Sequence, residues 1–273
     1  MRLAIVAVLV VAGAAIVAAL LADDEFSGDS RGARIERFDL HSKLLDDTLT
    51  QTIVRPAGGS AGRPLLVFLH GRGGNPDSSL SDDLFSGLSR LGDRAPAIAF
   101  VNGGDHSYYH DRDDGPWGRY VVSEALPTAL RRTGADPRRI AIGGISMGGF
   151  GALDLARRHP HRFCAVGGHS PALWQAAGET PEGAFDDADD FARHDVMAAA
   201  ASPGALGSEP IWLDRGDEDP FSSSTDTAAA TLRSSGHDVR IHHWAGGHDS
   251  DYWNARMPAY LRFYAAALAS CRR

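Results

Sequence analysis

Short blocks of consecutive apolar residues alternate along the chain with longer amphipathic stretches. Leu65-Leu66-Val67-Phe68-Leu69 and Ala97-Ile98-Ala99-Phe100-Val101 are continuous apolar runs, the mark of strands buried on both faces. Arg139 to Ile142, Phe163 to Gly167, Ile211 to Leu213 and Val239 to Trp244 predict further strands. Helical patterns lie between or after them, over Leu80–Leu91, Val121–Thr133, Gly148–Arg158, Thr225–Ser234 and Trp253–Ser270. Upstream, Arg34 to Arg55 alternates well enough for a two-stranded hairpin. Gly103 to Tyr120 reads as a loop rich in aromatic and charged residues, and Ser170 to Gly207 as a long, partly helical excursion. Strands alternating with helices predict an α/β fold, a mostly parallel, doubly wound sheet flanked by helices.

The first residues follow a different pattern. Met1 and Arg2 precede an apolar run from Leu3 to Ala22, and Asp23-Asp24-Glu25 follows it. About 20 apolar residues can cross a bilayer as a helix. Arg2 before the run favours a cytoplasmic N-terminus and an enzyme outside. A cleaved signal peptide is the rival reading. Its apolar region usually spans about 7–15 residues before a small-x-small site, whereas Leu20-Leu21-Ala22 is a poor one. The organisation expected is therefore an anchor or signal peptide over 1–22, a polar linker over 23–34 and one catalytic domain over 35–273. The expected location is extracytoplasmic, anchored by the N-terminal helix or secreted after cleavage.

A net charge of −8 in 273 residues leaves no basic footprint for a nucleic-acid partner. The two cysteines, Cys164 and Cys271, lie where a central strand begins and the last helix ends. Both are placed toward the same end of the sheet, so a disulfide fits an oxidising compartment.

The pattern G-x-S-x-G occurs twice. In a chain with 31 glycines it says little by itself. Gly58-Gly59-Ser60-Ala61-Gly62 sits in a Pro/Gly loop with no strand before it. Gly144-Ile145-Ser146-Met147-Gly148 follows the apolar Ile140-Ala141-Ile142 and leads into a helix. Strand, tight turn and helix are the context a nucleophilic serine needs, because the turn lifts Oγ above the sheet. The helix start also offers free N–H groups to an oxyanion. Ser146 is the expected nucleophile.

In this architecture the acid and then the base follow the serine along the chain. After Ile211-Trp212-Leu213 come Asp214, Asp217, Glu218 and Asp219. Asp219, just before Pro220-Phe221, is the expected acid, with Asp217 as the alternative. His248 follows the last strand on a Gly246-Gly247 loop and is the expected base, while His242 and His243 remain inside the strand pattern. The turn His70-Gly71-Arg72-Gly73-Gly74 after an early strand should supply the Arg72 N–H as partner to that of Met147 in an oxyanion hole. His70 itself reads as structural.

HGRGG at 70–74, GISMGGFGAL at 144–153, GDEDPF at 216–221 and GGHDSDYW at 246–253 together resemble the esterase D/antigen 85 branch of the α/β-hydrolases. The resemblance covers about residues 35–270 and takes in S-formylglutathione hydrolases, feruloyl esterases and mycolyltransferases. It implies an α/β-hydrolase fold and a serine carboxylic-ester hydrolase with Ser146, Asp219 and His248 as triad and Met147 and Arg72 as oxyanion donors. The implied substrate is a small-molecule, glycan or lipid ester. An acyltransferase delivering to a sugar hydroxyl is the alternative, and a non-enzymatic binding protein on the same fold a more distant one. Arg72 stands where mycolyltransferases carry an apolar residue, which counts against a long-lipid donor. The Ala/Gly/Arg/Asp-rich composition suggests a high-GC actinobacterial chain.

No cofactor and no metal are expected. His110-Asp111-Arg112-Asp113-Asp114-Gly115 lacks the distal Glu of an EF-hand. His242, His243, His248, Asp249 and Asp251 match no common zinc spacing. Tyr108, Tyr109 and Trp117 are expected to line the substrate cleft. The sequence leaves the oligomeric state open.

Overall fold

The computed structural model describes residues 26–271. Eight strands form one sheet: β1 (Arg34–Ser42), β2 (Asp47–Arg55), β3 (Leu65–Leu69), β4 (Ala97–Val101), β5 (Ile140–Ile145), β6 (Val166–His169), β7 (Ile211–Gly216) and β8 (Val239–Trp244). Their order is β1-β2-β4-β3-β5-β6-β7-β8. The β1–β2 hairpin pairs antiparallel with itself and with β4, and every later pairing is parallel. The expected mostly parallel α/β sheet is what the chain forms.

Side-chain alternation along the central strands divides the core in two. Leu65, Val67 and Leu69 of β3 face one layer, and Leu66 and Phe68 face the other. β4 does the same, with Ala97, Ala99 and Val101 opposite Ile98 and Phe100. Because both faces are covered, these strands carry no polar positions, which is why they read as unbroken apolar runs. The first layer holds α2 (Leu126–Thr133), α3 (Met147–Arg158) and α6 (Ser222–Ser234). The second holds α1 (Asp82–Leu91) and α7 (Ser250–Ser270). Within the excursion, α4 (Ala188–Arg193) and α5 (Val196–Ala200) are short. Ser81 caps α1 by accepting from the Leu84 amide, and Asp249 caps α7 by accepting from the Tyr252 amide, so both helices start where a short polar side chain satisfies a free donor.

Several boundaries differ from the sequence reading. The helix expected from Val121 begins earlier, with a turn at Trp117–Tyr120 and a π-helical turn at Val121–Ala125 leading into α2. The loop before it contains a small hairpin, Asp111–Arg112 with Gly115–Pro116. The stretch read as a linker is docked from Phe26 onward: the Phe26 ring lies 4.7 Å from Phe85 of α1, and Ala33 is buried. The apolar run 3–22 lies outside the described residues, and no helix among the described residues is long and apolar enough to cross a membrane. Cys164 and Cys271 are joined by a disulfide that ties the start of β6 to the end of α7.

Candidate active site

Three loops at the C-terminal ends of β5, β7 and β8 converge on one point, the usual location of ligand sites in open α/β sheets. Ser146 sits between β5 and α3 with φ 54°, a backbone conformation that costs energy for a residue with a side chain. The glycines around it permit the turn. A β-carbon on Gly144 would lie 2.5 Å from the Gly148 carbonyl carbon, and one on Gly148 would collide with the Leu69 carbonyl. Those contacts give a physical reason for Gly at both flanks of the motif.

His248 Nε2 accepts from Ser146 Oγ at 2.8 Å, and its Nδ1 donates to Asp219 Oδ2 at 3.0 Å. The Phe221 amide donates to the other Asp219 oxygen at 2.7 Å. Burial by itself would raise the Asp219 carboxyl, but the hydrogen bond and charge of His248, with the Phe221 amide, hold it below its usual range. It is therefore an anion at neutral pH and fixes the proton of His248 on Nδ1, leaving Nε2 free to receive the serine proton. The rings of Phe221 and Trp253 flank His248, with centroids at 5.3 and 5.0 Å. Asp217, the alternative acid, pairs instead with Arg215 at 3.2 Å on the surface.

Met147 is the first residue of α3, so its amide has no intrahelical acceptor. Arg72 lies in the turn after β3, where Gly73 and Gly74 donate to Asp105 and Gly71. Among the described residues, the Arg72 and Met147 amides have no backbone acceptor in these turns. The turn is close to Ser146: a β-carbon on Gly71 would be 3.5 Å from Ser146 Cβ. His70 holds it in place. Its Nδ1 donates to Gly71 O at 2.9 Å and its Nε2 accepts from the Gly103 amide at 3.1 Å. Burial lowers the His70 imidazole below its ordinary range, consistent with a neutral, structural ring.

The other residues singled out in the sequence scatter. Ser60 is buried and donates to Thr133 O at 2.6 Å. His242 stacks on Trp212, and His243 pairs with Asp226 at 2.8 Å. The expectation that Tyr108, Tyr109 and Trp117 line the cleft needs correction. Tyr108 and Tyr109 have φ of 50° and 59°, and this left-handed pair turns both rings inward. Tyr109 is fully buried and donates to His70 O at 3.2 Å. Trp117 packs over Gly104 and donates to Asp114 at 3.1 Å. Tyr108 is buried edge-on against Trp174 and Phe150, where the Arg72 guanidinium meets its hydroxyl. Trp174 in turn meets Phe221 at 5.6 Å. The rings beside His248 are Phe221 and Trp253, and Trp174 packs on Phe221.

Asp214, the first of the acidic residues after Ile211-Trp212-Leu213, organises the floor beneath the site. It is fully buried, and Oδ1 accepts from Tyr252 and Tyr260 hydroxyls at 3.0 and 2.8 Å. Oδ2 accepts from His169 Nδ1 and Trp212 Nε1, both at 2.7 Å. Tyr264 donates to His169 Nε2 at 2.8 Å. Gly143 and Gly167 leave room for the Tyr264 hydroxyl, since a β-carbon on either would overlap it. A carboxylate placed immediately after the apolar Ile211-Trp212-Leu213, with tyrosines at helical spacing in the last helix, was the available signal. The network anchors α7, which begins two residues after His248.

Comparison with known proteins agrees with this architecture. A ferulic acid esterase superposes with a TM-score of 0.76 at 22% identity, covering 86% of this chain and 99% of its own. An S-formylglutathione hydrolase from Agrobacterium tumefaciens gives 0.72 at 20%, covering 88% and 98%. In sequence, "Putative esterase NocK" of Nocardia uniformis subsp. tsuyamanensis is 31% identical over 198 residues, 66% of this chain and 54% of NocK. The chain therefore spans about half the length of that relative. The model of the esterase family, described as "Putative esterase", matches residues 45–264, and the chain belongs to that family.

Proposed function

We propose that the chain is a serine carboxylic-ester hydrolase working through Ser146, His248 and Asp219. The observation that carries this reading is the unbroken relay from Ser146 Oγ through both nitrogens of His248 to Asp219. His248 Nε2 takes the Ser146 proton as Oγ attacks the ester carbonyl. The oxyanion is held by the Met147 and Arg72 amides; losing one such donor costs about 2.7–4 kcal/mol of barrier. The protonated His248 then passes its proton to the departing alkoxide, leaving an acyl-Ser146 and a free alcohol. Water then gives a proton to His248 as its oxygen attacks the acyl carbonyl, and His248 returns that proton to Ser146 Oγ as the C–Oγ bond breaks and the acid departs. Membership of the esterase family and the free N–H groups at the start of α3 support the same sequence of steps.

We place this chemistry outside the cytoplasm, with residues 1–22 as anchor or signal. The Cys164–Cys271 disulfide supports an oxidising compartment. The substrate is a small-molecule, glycan or lipid ester. The test is to follow p-nitrophenyl butyrate with and without glucose or glycerol as acceptor. A p-nitrophenol burst of one per chain, absent in Ser146→Ala, with butyric acid as the product, supports hydrolysis. Acyl sugar as the main product would redirect the reading to acyl transfer, and turnover surviving in Ser146→Ala would overturn it.

A further inference from the structure

Away from the triad, beside Asp154 of α3, three buried side chains point donor atoms at one spot. They are His110 of the aromatic loop and Asp190 and His194 of the excursion, and one donor atom from each lies within 4.8 Å of the others. All three side chains are at least 97% buried, with relative exposures of 0%, 0% and 3%.

The shorter outward hydrogen bonds favour one set of inward-facing atoms. His194 Nδ1 donates to Asp154 Oδ2 at 2.7 Å, so its Nε2 carries a lone pair. His110 Nε2 lies 3.0 Å from the Ala184 carbonyl and Nδ1 a longer 3.4 Å from the Asp111 carbonyl, so the shorter bond favours the tautomer with its proton on Nε2 and a lone pair on Nδ1. Asp190 accepts from the Asp186 amide at 3.0 Å and from Arg193 at 3.1 Å, and still turns its oxygens toward both imidazoles. His110 Nδ1 is 3.7 Å from Asp190 Oδ2, and His194 Nε2 is 3.7 Å from Asp190 Oδ1. That is too long for a hydrogen bond. It is close to the ~3.4 Å between neighbouring donors around a tetrahedral ion with bonds of about 2.0–2.1 Å. Three electron-rich atoms turned on one another repel unless a cation lies between them.

We propose that His110 Nδ1, His194 Nε2 and the Asp190 carboxylate bind one divalent transition-metal ion of the zinc class. Two imidazoles and a carboxylate suit such an ion better than calcium or magnesium, which take oxygen ligands. The surroundings have the form metal sites require: each ligating histidine gives its other N–H to a carboxylate or a carbonyl, fixing tautomer and orientation. A cavity of about 460 Å³ is lined by both histidines and by Asp154. Two buried carboxylates stand at the cluster, each also paired with a guanidinium: Asp190 with Arg193 at 3.1 Å and Asp154 with Arg157 at 2.7 Å. Asp154 belongs to α3, the helix that starts at the nucleophile. The ion would therefore clamp the aromatic loop and the excursion to that helix.

The test uses the full chain in detergent, stripped with a chelator and titrated with ZnSO4 against a chromophoric competitor, and with CoCl2 followed by visible absorption. Wild type is expected to bind one Zn²⁺ per chain, to gain a Co²⁺ ligand-field band and to melt at a higher temperature as free Zn²⁺ rises. Asp190→Asn keeps the size and the Asp186 contact but should bind at least tenfold more weakly, lose the band and melt like stripped wild type. Should Asp190→Asn fail to fold, Asp154→Asn gives the second reading, a loss of about 10–100-fold in affinity through His194. Equal Zn²⁺ affinity in wild type and both variants would place any bound ion on surface histidines and overturn the proposal. A wild type whose melting temperature ignores Zn²⁺ would do so too.

Discussion

Replacing Asp219 by Asn probes the triad without changing its size. In the native site one carboxylate oxygen takes the Phe221 amide at 2.7 Å and the other takes His248 Nδ1–H at 3.0 Å. An asparagine has only one acceptor oxygen. The Phe221 amide is a fixed backbone donor, so the side-chain carbonyl must face it, and the NH2 group must face His248. Nδ1 then accepts, and the ring proton moves to Nε2. Ser146 Oγ now meets an N–H where it needs a lone pair, and the base is disabled while the geometry survives. A tautomer error of this kind costs about 10⁴-fold in kcat, or ~5.4 kcal/mol at 1.36 kcal/mol per decade. Asp217 is 61% exposed and pairs with Arg215, so Asp217→Asn should change turnover by no more than about twofold. The assay is kcat and KM on p-nitrophenyl butyrate for both variants, with melting curves showing that each is folded. A folded Asp219→Asn enzyme within tenfold of wild type, or an Asp217→Asn enzyme more damaged than it, would refute the reasoning.

Further outcomes follow from the floor of the site, the disulfide and the buried histidine. Asp214→Ala strands four donors with no water to replace the carboxylate, and should lower unfolding free energy by about 3–5 kcal/mol, read from urea melts; a loss below 1 kcal/mol would contradict the network's role. Cys164→Ala with Cys271→Ala opens a link across 107 residues and should cost about 2–4 kcal/mol in the same assay, whereas an unchanged midpoint would argue that the bond does not form. His70 has its folded pKa depressed below the reference 6.5 by burial, so the unfolded chain takes up a proton first as pH falls. Its contribution is intact above about pH 6.5 and declines toward the lower folded pKa. The urea midpoint should therefore drop from pH 7 to 5.5 more in wild type than in His70→Gln, and parallel profiles would sink the assignment.

What could be read from the sequence divides by the range of the interactions. Gly144, Ser146 and Gly148 are legible because the turn, the strand before it and the helix after it are all local. Asp219 and His248 are legible because the topology orders them behind successive strands. Both matches to G-x-S-x-G were separable on the same ground: Ser60 has no strand leading into it, and its hydroxyl is spent on the Thr133 carbonyl. Tyr108 and Tyr109 were misplaced because aromatic residues in a loop say nothing about which way the chain turns. Their left-handed backbone, visible only in the fold, sends them into the core. Asp214 and the His110, Asp190 and His194 cluster were missed for a related reason. Asp190 and His194 stand at i,i+4, but His110 and the partners of Asp214 come from elements far apart in the chain that no spacing rule joins to them.

The account rests on Ser146 being the one activated nucleophile, and a fluorophosphonate probe tests this most directly. The probe should phosphonylate the folded chain once, with peptide mass mapping placing the adduct on Ser146 and Ser146→Ala remaining unlabelled. An adduct on any other residue, or undiminished labelling of Ser146→Ala, would contradict the central claim.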